Sequence, residues 1–482
     1  MSENDPDLNK LYSWDKDFVW HAFTQMAEYE PLLIERGEGV YLFDTDGNRY
    51  IDGSASMWCN VHGHRHPRLD AAISNQLTKV AHTTNLGLSN PTTVHLAQRL
   101  AEITPSGLEK VFFSSDGSSA IEAALKIAFQ YWHQSEREES VASTYQTSQR
   151  RKFVSLGEAY HGDTLGAIGV GGVDRFTSIF SPLTFDAIRV AGPGMTASLS
   201  STGDGGPRLD TSSQTTTAAA TLSELENLFK NQGHEIAALI MEPLVQAAGG
   251  ILVHPPGFLR AVRELTHQFN ILLILDEIAV GFGRTGTMFA CEQENVSPDI
   301  LCLGKGLTAG YLPMAATITT TQIWKQFLGS HKDGRAFYHG HTFGGNPLAA
   351  AVALESLNLF EEEHLLEQLP ERIQELQDHV ARIAKLPHVG DTRQCGLVAG
   401  IDLVADEDSG NPYPWEDKMG TVTCLAARQY GALLRQLGDT VVIMPPLSIS
   451  SSELADLLHA AECAIRETTE AVVSIPSGTQ LR

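Results

Sequence analysis

The chain has little that would staple it, anchor it or draw it to a polyanion. Six cysteines, at 59, 291, 302, 395, 424 and 463, are scattered through 482 residues with no CxxC pair. That spacing argues against a disulfide framework or a thiolate metal site and fits a reducing cytoplasm. No apolar run approaches the roughly 20 residues that cross a bilayer. The opening MSENDPDLNKLYSWDKD is polar and acidic, without the apolar centre of a secretion signal, and residues 1–20 read as a loose arm. Basic residues are in the minority: 34 Lys and Arg against 58 Asp and Glu leave a formal charge of −24. Such a balance disfavours non-specific binding to nucleic acid or an anionic membrane. No GxxxxGK(S/T) segment occurs, so a nucleotide hydrolase would lack its phosphate loop. Internal repeats are absent. Histidines gather in HGHRHP (62–67) and HGHT (339–342), but no partnering cysteine or HExxH spacing accompanies them. A pocket-lining or structural role is expected for them, and no metal.

What is present is an α/β pattern. Hydrophobic residues make up 42% of the chain, and the length exceeds one ordinary core, so two domains are expected. GVYLFDTDGNRYIDG (39–53) reads as a hairpin turning at Asp46-Gly47. HPRLDAAISNQLTKVAH predicts a helix. KVFFSS (110–115), KFVSLG (152–157), IAALIMEP (236–243), ILLILDE (271–277) and DILCLGKG (299–306) are short, continuously apolar strands, with helical segments such as AIEAALKIAFQYW between some of them. Such strands suit a mostly parallel sheet covered on both faces. Residues 344–369 read as one long helical stretch, followed by an α+β unit. Residues 134–151 are polar throughout. Residues 193–221, rich in Ser, Thr and Gly, offer almost no large side chain for a core and read as a mobile surface insertion.

Two of the strands end on chemistry. ILLILDE stops on Asp276, with Glu277 behind it, and an acid at the carboxyl end of an α/β strand lies where such sheets keep their ligands. DILCLGKG delivers Lys305 between Gly304 and Gly306. An amine and an acid so placed match pyridoxal phosphate, which needs a lysine to bond it and an acid to keep its pyridine nitrogen protonated. The SSDGSSAIEAA segment places Gly117, Ser118 and Ser119 between a strand and a helix, where free N–H groups and the helix dipole favour a phosphate. Tyr160 and His161, in EAYHGDT, follow another strand, and an aromatic there could cover the cofactor ring.

Taken together, LILDEIAVGFGRTGTMFACE, PDILCLGKGLTAGYLPMAA and HGHTFGGNPLAAA resemble the class III aminotransferases, pyridoxal-phosphate enzymes of fold type I, from about residue 20 to the C-terminus. The resemblance implies a large domain with a mostly parallel mixed sheet over 69–345. It implies a small α+β domain from the two ends, with 1–68 as arm and first part and 346–482 as the remainder. WHAFTQM, DGSASMWCNVHGHRHP, AYHGDTLGAIGVGG, IMEPLVQAAGG and LLRQLGDTVVIMPPL point to the branch acting in biotin biosynthesis. That branch converts 8-amino-7-oxononanoate to 7,8-diaminononanoate, with S-adenosylmethionine or, in some members, lysine as amino donor. The rival within the family is a general ω-amino acid or diamine aminotransferase.

By the same resemblance, Lys305, Asp276 and Tyr160 are catalytic. Gly117, Ser118, His341 and Thr342 hold the phosphate, Thr342 reaching over from a second subunit. Glu242 and Asp163 support the site. Arg435 binds the substrate carboxylate, and Phe23, Met57, Trp58, Tyr160, Arg284, Lys305 and Gly340 line the substrate pocket. The family implies a homodimer with sites at the interface, and the scattered cysteines a cytoplasmic location. Three positions depart from the best-known branch. Phe23 stands for the tyrosine of HPYT, Met57-Trp58 for paired tryptophans, and Gly340-His341-Thr342 for GPT.

Overall fold

The computed structural model describes residues 6–135, 148–194 and 216–473. At its centre is a seven-stranded sheet. In spatial order its strands are Leu108–Ser114, Ala315–Thr320, Ile300–Leu303, Leu272–Asp276, Ile236–Met241, Lys152–Leu156 and Ile188–Val190. Ala315–Thr320 pairs antiparallel with both of its neighbours, whereas the remaining pairs are parallel. Six strands therefore run one way, and their carboxyl ends share one edge.

The continuous apolar runs follow from burial on both faces. Leu239, Met241, Leu273, Leu275, Leu301 and Leu303 join a core that includes Leu225 and Phe229 of the Ala218–Gln232 helix and Phe258, Leu259 and Val262 of Phe258–Gln268. The alternate residues Ala238, Ile240, Leu272, Ile274, Ile300 and Cys302 pack instead with Ile121, Ala124, Leu125 and Ala128 of the Gly117–Ser135 helix. With a side-chain period of two, Asp276 has the parity of Ile274 and lies on the side of that helix.

A second sheet joins the two ends of the chain. Ile34–Glu38, Tyr41–Asp44 and Arg49–Asp52 form a meander whose last strand pairs in parallel with Ala432–Leu433. The Asp46-Gly47 turn lies in this hairpin, with Gly47 at φ +86°. A third sheet, Val389–Gln394, Ala399–Leu403, Thr440–Ile443 and Arg435–Leu437, is antiparallel throughout.

Three expectations are corrected. The arm is not loose from Pro6 onward: Pro6–Phe18 is a helix. Leu8, Leu11 and Phe18 recur at helical spacing and, with Trp14, line a groove against Leu33 and Ile34, while the Tyr12 hydroxyl bonds Thr45 Oγ1 at 3.3 Å. The acidic composition masks that stripe. The long helical stretch is two helices, Pro347–Glu362 and Leu365–Ile383, because His364 takes a left-handed conformation between them. The end of the 193–221 insertion is ordered chain: Thr217 caps a helix that starts at Ala218, accepting from the Ala220 N–H. Most of that insertion, and of the polar 134–151 stretch, lies outside the described residues.

Candidate active site at the strand ends

The parallel strands deliver five groups to one edge. Asp276 is the last residue of its strand and is in register with Cys302, three residues before Lys305 on the neighbouring strand's exit. Glu242 follows the Ile236–Met241 strand, Tyr160 and His161 follow Lys152–Leu156, and the Gly117–Ser135 helix begins just after Leu108–Ser114.

Asp276 is 4% exposed and Glu242 3%. His161 Nδ1 donates to Asp276 Oδ2 at 2.8 Å, and the Ile278 N–H donates to the other oxygen at 3.0 Å. A carboxylate only accepts, so both Asp276 oxygens are engaged as acceptors. Glu242 accepts from the Tyr160 and Ala247 N–H groups. Burial nevertheless pushes its carboxyl up to about 7, and the neighbouring Asp276 charge adds to the rise. Burial lowers the Lys305 amine below the ordinary lysine value, with Asp276 and Glu242 opposing the shift without reversing it.

Lys305 itself has φ +43°, a left-handed conformation that side chains disfavour. Its amine lies 4.6 Å from the centre of the Trp58 ring, within cation–π range. Trp58 reaches there from an unusual turn, since Ala55, Ser56, Met57 and Trp58 have φ of 45°, 46°, 71° and 69°. Consecutive left-handed residues are costly and persist only where surroundings fix them. Asp52 does the fixing: its carboxylate accepts from the Ser54 and Ser56 hydroxyls and from His64 Nε2. Burial alone would raise the Asp52 carboxyl, but the His64 and Ser56 bonds hold it below the usual range. The histidines of HGHRHP thus serve separate partners: His62 meets Ser356, His64 meets Asp52, and His66 meets Glu363.

The helix N-terminus sits directly against the acid's loop. A Cβ on Gly117 would stand 2.9 Å from Ile278 Cγ2, two residues past Asp276. Gly162, at φ +122°, brings the EAYHGDT loop so close that a Cβ would meet Ser118 Oγ at 2.0 Å, and the Asp163 N–H donates to that oxygen at 3.3 Å. Asp116 caps the helix through the Ser119 N–H and hydroxyl, both at 2.9 Å, so one amide of the first turn is already satisfied. Tyr160 donates its hydroxyl to Asp163 Oδ2 at 2.8 Å. Burial, followed by that bond, drives its phenol well above the usual tyrosine value.

The remaining candidates divide. Arg284 is buried, with Nη1 donating to the Leu397 and Pro445 carbonyls at 3.1 and 2.7 Å, and burial pulls its guanidinium down to about 9. Burial raises the Cys59 thiol, with the Lys305 and Arg284 charges opposing the rise. Burial lowers the Arg435 guanidinium, and its buried Nε has no hydrogen-bond partner among the described residues. Phe23 is 57% exposed and is linked to the site through Phe176, whose ring is 5.4 Å from Phe23 and 5.9 Å from Tyr160. Met57 is 41% exposed. Gly340, His341 and Thr342 are not gathered with Lys305. Gly340 lies beside Leu86, His341 is edge-on to His339 at 5.1 Å, and Thr342 is exposed. The residue that sequence reasoning left without a role is His161. Its identity beside Tyr160 was visible, but nothing in the spacing pairs it with an acid 115 positions on.

The donor set fits pyridoxal phosphate. An amine with a lowered proton affinity, a buried carboxylate kept as an acceptor and a helix N-terminus opening with Gly117 and Ser118 lie on one sheet edge. Trp58 Nε1 and His161 Nε2 are buried there without a protein partner.

Comparison with known proteins agrees. The model of the aminotransferase class-III family matches residues 24–465. A protein of Geobacter sulfurreducens named adenosylmethionine-8-amino-7-oxononanoate aminotransferase is 46% identical over 96% of this chain and 99% of its own length. One of that name from Aquifex aeolicus is 46% identical over 98% of this chain and 100% of its own. The crystal structure of the Methanocaldococcus jannaschii protein of that name superposes with a TM-score of 0.87 at 38% identity, covering 96% of this chain and 99% of that one. An omega transaminase from Pseudomonas jessenii in complex with PMP gives a TM-score of 0.86 at 28% identity, covering 97% of this chain and all of that one.

Proposed function

The chain belongs to the class III aminotransferases and is a pyridoxal-phosphate-dependent transaminase; from that premise we propose that it transfers an amino group to 8-amino-7-oxononanoate, giving 7,8-diaminononanoate in biotin biosynthesis, with S-adenosylmethionine as donor. The observation that carries this reading is the 46% identity, over nearly the whole of both chains, to relatives bearing that name. The cofactor, when bound, supplies an electron sink for charge developing at the substrate carbon.

The protein's own groups do the rest. Lys305 anchors the cofactor and, with its proton affinity lowered by burial, moves a proton to and from the substrate carbon. Asp276, oriented by His161, keeps the pyridine nitrogen protonated. Gly117 and Ser118 hold the phosphate at the helix N-terminus, and Thr342 with His341 completes that hold in a partner's site. Tyr160, fixed by Asp163 and Glu242, covers the ring. Trp58 walls the pocket and keeps water from the amine. Arg435 takes the substrate carboxylate by a bidentate pair, and donor and acceptor use the same pocket in turn. Phe23, Met57, Arg284 and Gly340 shape its entrance and walls.

The domain division at 69 and 346 and a cytoplasmic location belong to the same reading, the latter supported by six free thiols and acidic charge. So does a homodimer, supported by Tyr338, Phe343 and Leu86, which are 75%, 60% and 67% exposed beside Thr342. Sedimentation of the purified protein should give twice the chain mass of 52.4 kDa.

The test supplies 8-amino-7-oxononanoate with either S-adenosylmethionine or lysine to the loaded enzyme, and mass spectrometry reads 7,8-diaminononanoate. Product with adenosylmethionine is expected. Product with lysine alone would replace the donor and implicate Phe23 and Met57. No product with either, from an enzyme that transaminates other ω-amines, would replace the acceptor as well.

A further inference from the structure

Arg435 is not the only guanidinium at its end of the site. Arg175, in the Asp174–Thr177 turn, is exposed, and its Cζ lies 4.9 Å from the Phe176 ring centre and 5.8 Å from that of Trp415. The two rings leave its charged head a defined place rather than a solvent-swept arc. Its Nη1 comes within 3.7 Å of where a Cβ on Gly438 would sit, in the turn between the Arg435–Leu437 and Thr440–Ile443 strands. Gly438 lies three residues past Arg435 in the same hairpin; burial lowers the Arg435 guanidinium, and the Arg175 charge adds to that fall. Neither has an ion pair with a carboxylate among the described residues. Glu158 acts on Arg175 through space without bonding it, and burial raises the Glu158 carboxyl to about 7, so it is a weak counter-charge near neutrality.

Two guanidinium groups at one hairpin, neither ion-paired among the described residues and one with a buried Nε that has no partner, offer a carboxylate two cationic partners. Phe176 ties the pair to the reacting end, because its ring touches both Tyr160 and Phe23. We propose that Arg175 is a specificity-determining residue that binds the substrate carboxylate jointly with Arg435, so that the far end of the site is a two-arginine clamp for a monocarboxylate tail. This rests on the transaminase reading for the meaning of the tail, but not for its test. The carboxylate has two sources, the keto acid and the α-carboxylate of the amino donor, and both present the same planar acceptor.

The experiment compares the holoenzyme with its Arg175→Met and Arg175→Lys variants. Nonanoate and nonanamide serve as competing ligands, the latter lacking only the charge. The expected result is that Arg175→Met weakens nonanoate by roughly tenfold or more, a loss of about 1.4 kcal/mol or greater. Nonanamide should stay within about twofold of wild type, and Arg175→Lys should recover part of the loss. In turnover the same variant raises KM with kcat within about threefold, as for binding lost equally in ground and transition states. A KM rise in the acceptor half-reaction assigns the carboxylate to the keto acid, and one in the donor half-reaction assigns it to the donor. Equal weakening of nonanoate and nonanamide, or no weakening of either, overturns the clamp. A wild type that binds nonanoate no better than nonanamide overturns it too. A wild type that discriminates the two ligands yet never aminates 8-amino-7-oxononanoate leaves the clamp standing and removes the proposed acceptor instead.

Discussion

The centre and the rim of this site are built in opposite ways. Asp276, Glu242 and His161 are buried, bonded to one another's loops and fixed by strands that end side by side. Phe23, Met57 and Thr342 are exposed. The difference follows from what each part must do. A centre that tunes an amine and an acid needs a low-dielectric, fully bonded surrounding, since an unpaired buried charge is expensive. A rim that admits two different substrates in turn gains from surfaces whose covering comes with the ligand or with a second chain.

Breaking the centre should be the most damaging change. Lys305→Ala is expected to lower transamination by roughly 10⁴-fold or more, at or beyond the upper range of a general base, and to remove the yellow colour of the loaded protein; turnover near wild type would end the assignment. Next comes Arg435→Ala, expected to cost roughly 2–5 kcal/mol in the keto-acid half-reaction, as when one partner of a buried charge pair is truncated. An unchanged KM for that acid would reject its role.

A subtler test asks whether the buried acids carry a stability cost. The folded-state carboxyls of Glu242 and Glu277 are raised to about 7 by burial. A raised folded value means stability is fully present below the unfolded value of about 4.5 and is lost as pH climbs through about 7. The denaturation midpoint should therefore fall between about pH 5 and 7. Glu242→Gln should flatten part of that fall, and an identical slope in the variant would remove Glu242 as a source.

The smallest effect is expected at the rim. Phe23→Tyr restores a hydroxyl at an exposed position, so it should shift the ratio of adenosylmethionine to lysine use by less than roughly tenfold, the scale of one hydrogen bond. A complete donor switch from this one change would show that the rim, not the centre, sets the chemistry.

Much of the centre was legible before any coordinates. ILLILDE and DILCLGKG read as strands because both faces of the sheet are buried and demand unbroken apolar runs, and an acid or a lysine at such an end has few structural uses. The helix at Gly117 announced itself by its small residues and the amphipathic run behind them. Less was visible where meaning depends on partners distant in the chain. His161 had no role until folding set it against Asp276. The Pro6–Phe18 helix was hidden by its acids, and one left-handed residue, His364, split what read as a single helix.

Sequence by itself determined the local choices: which runs become strands, where a turn falls at Gly47, and which residue types could bind a phosphate-bearing aldehyde. These are properties of neighbours in the chain, fixed by side-chain period and backbone sterics. Tertiary structure alone decided the rest. It aligned six strand ends on one edge, forced Ala55–Trp58 left-handed to lay Trp58 over Lys305, and drew Arg175 against the Gly438 turn, three residues past Arg435. It also left Thr342 on the outside. Burial and charge coupling depend on what folding brings near, and no stretch of sequence states its own surroundings.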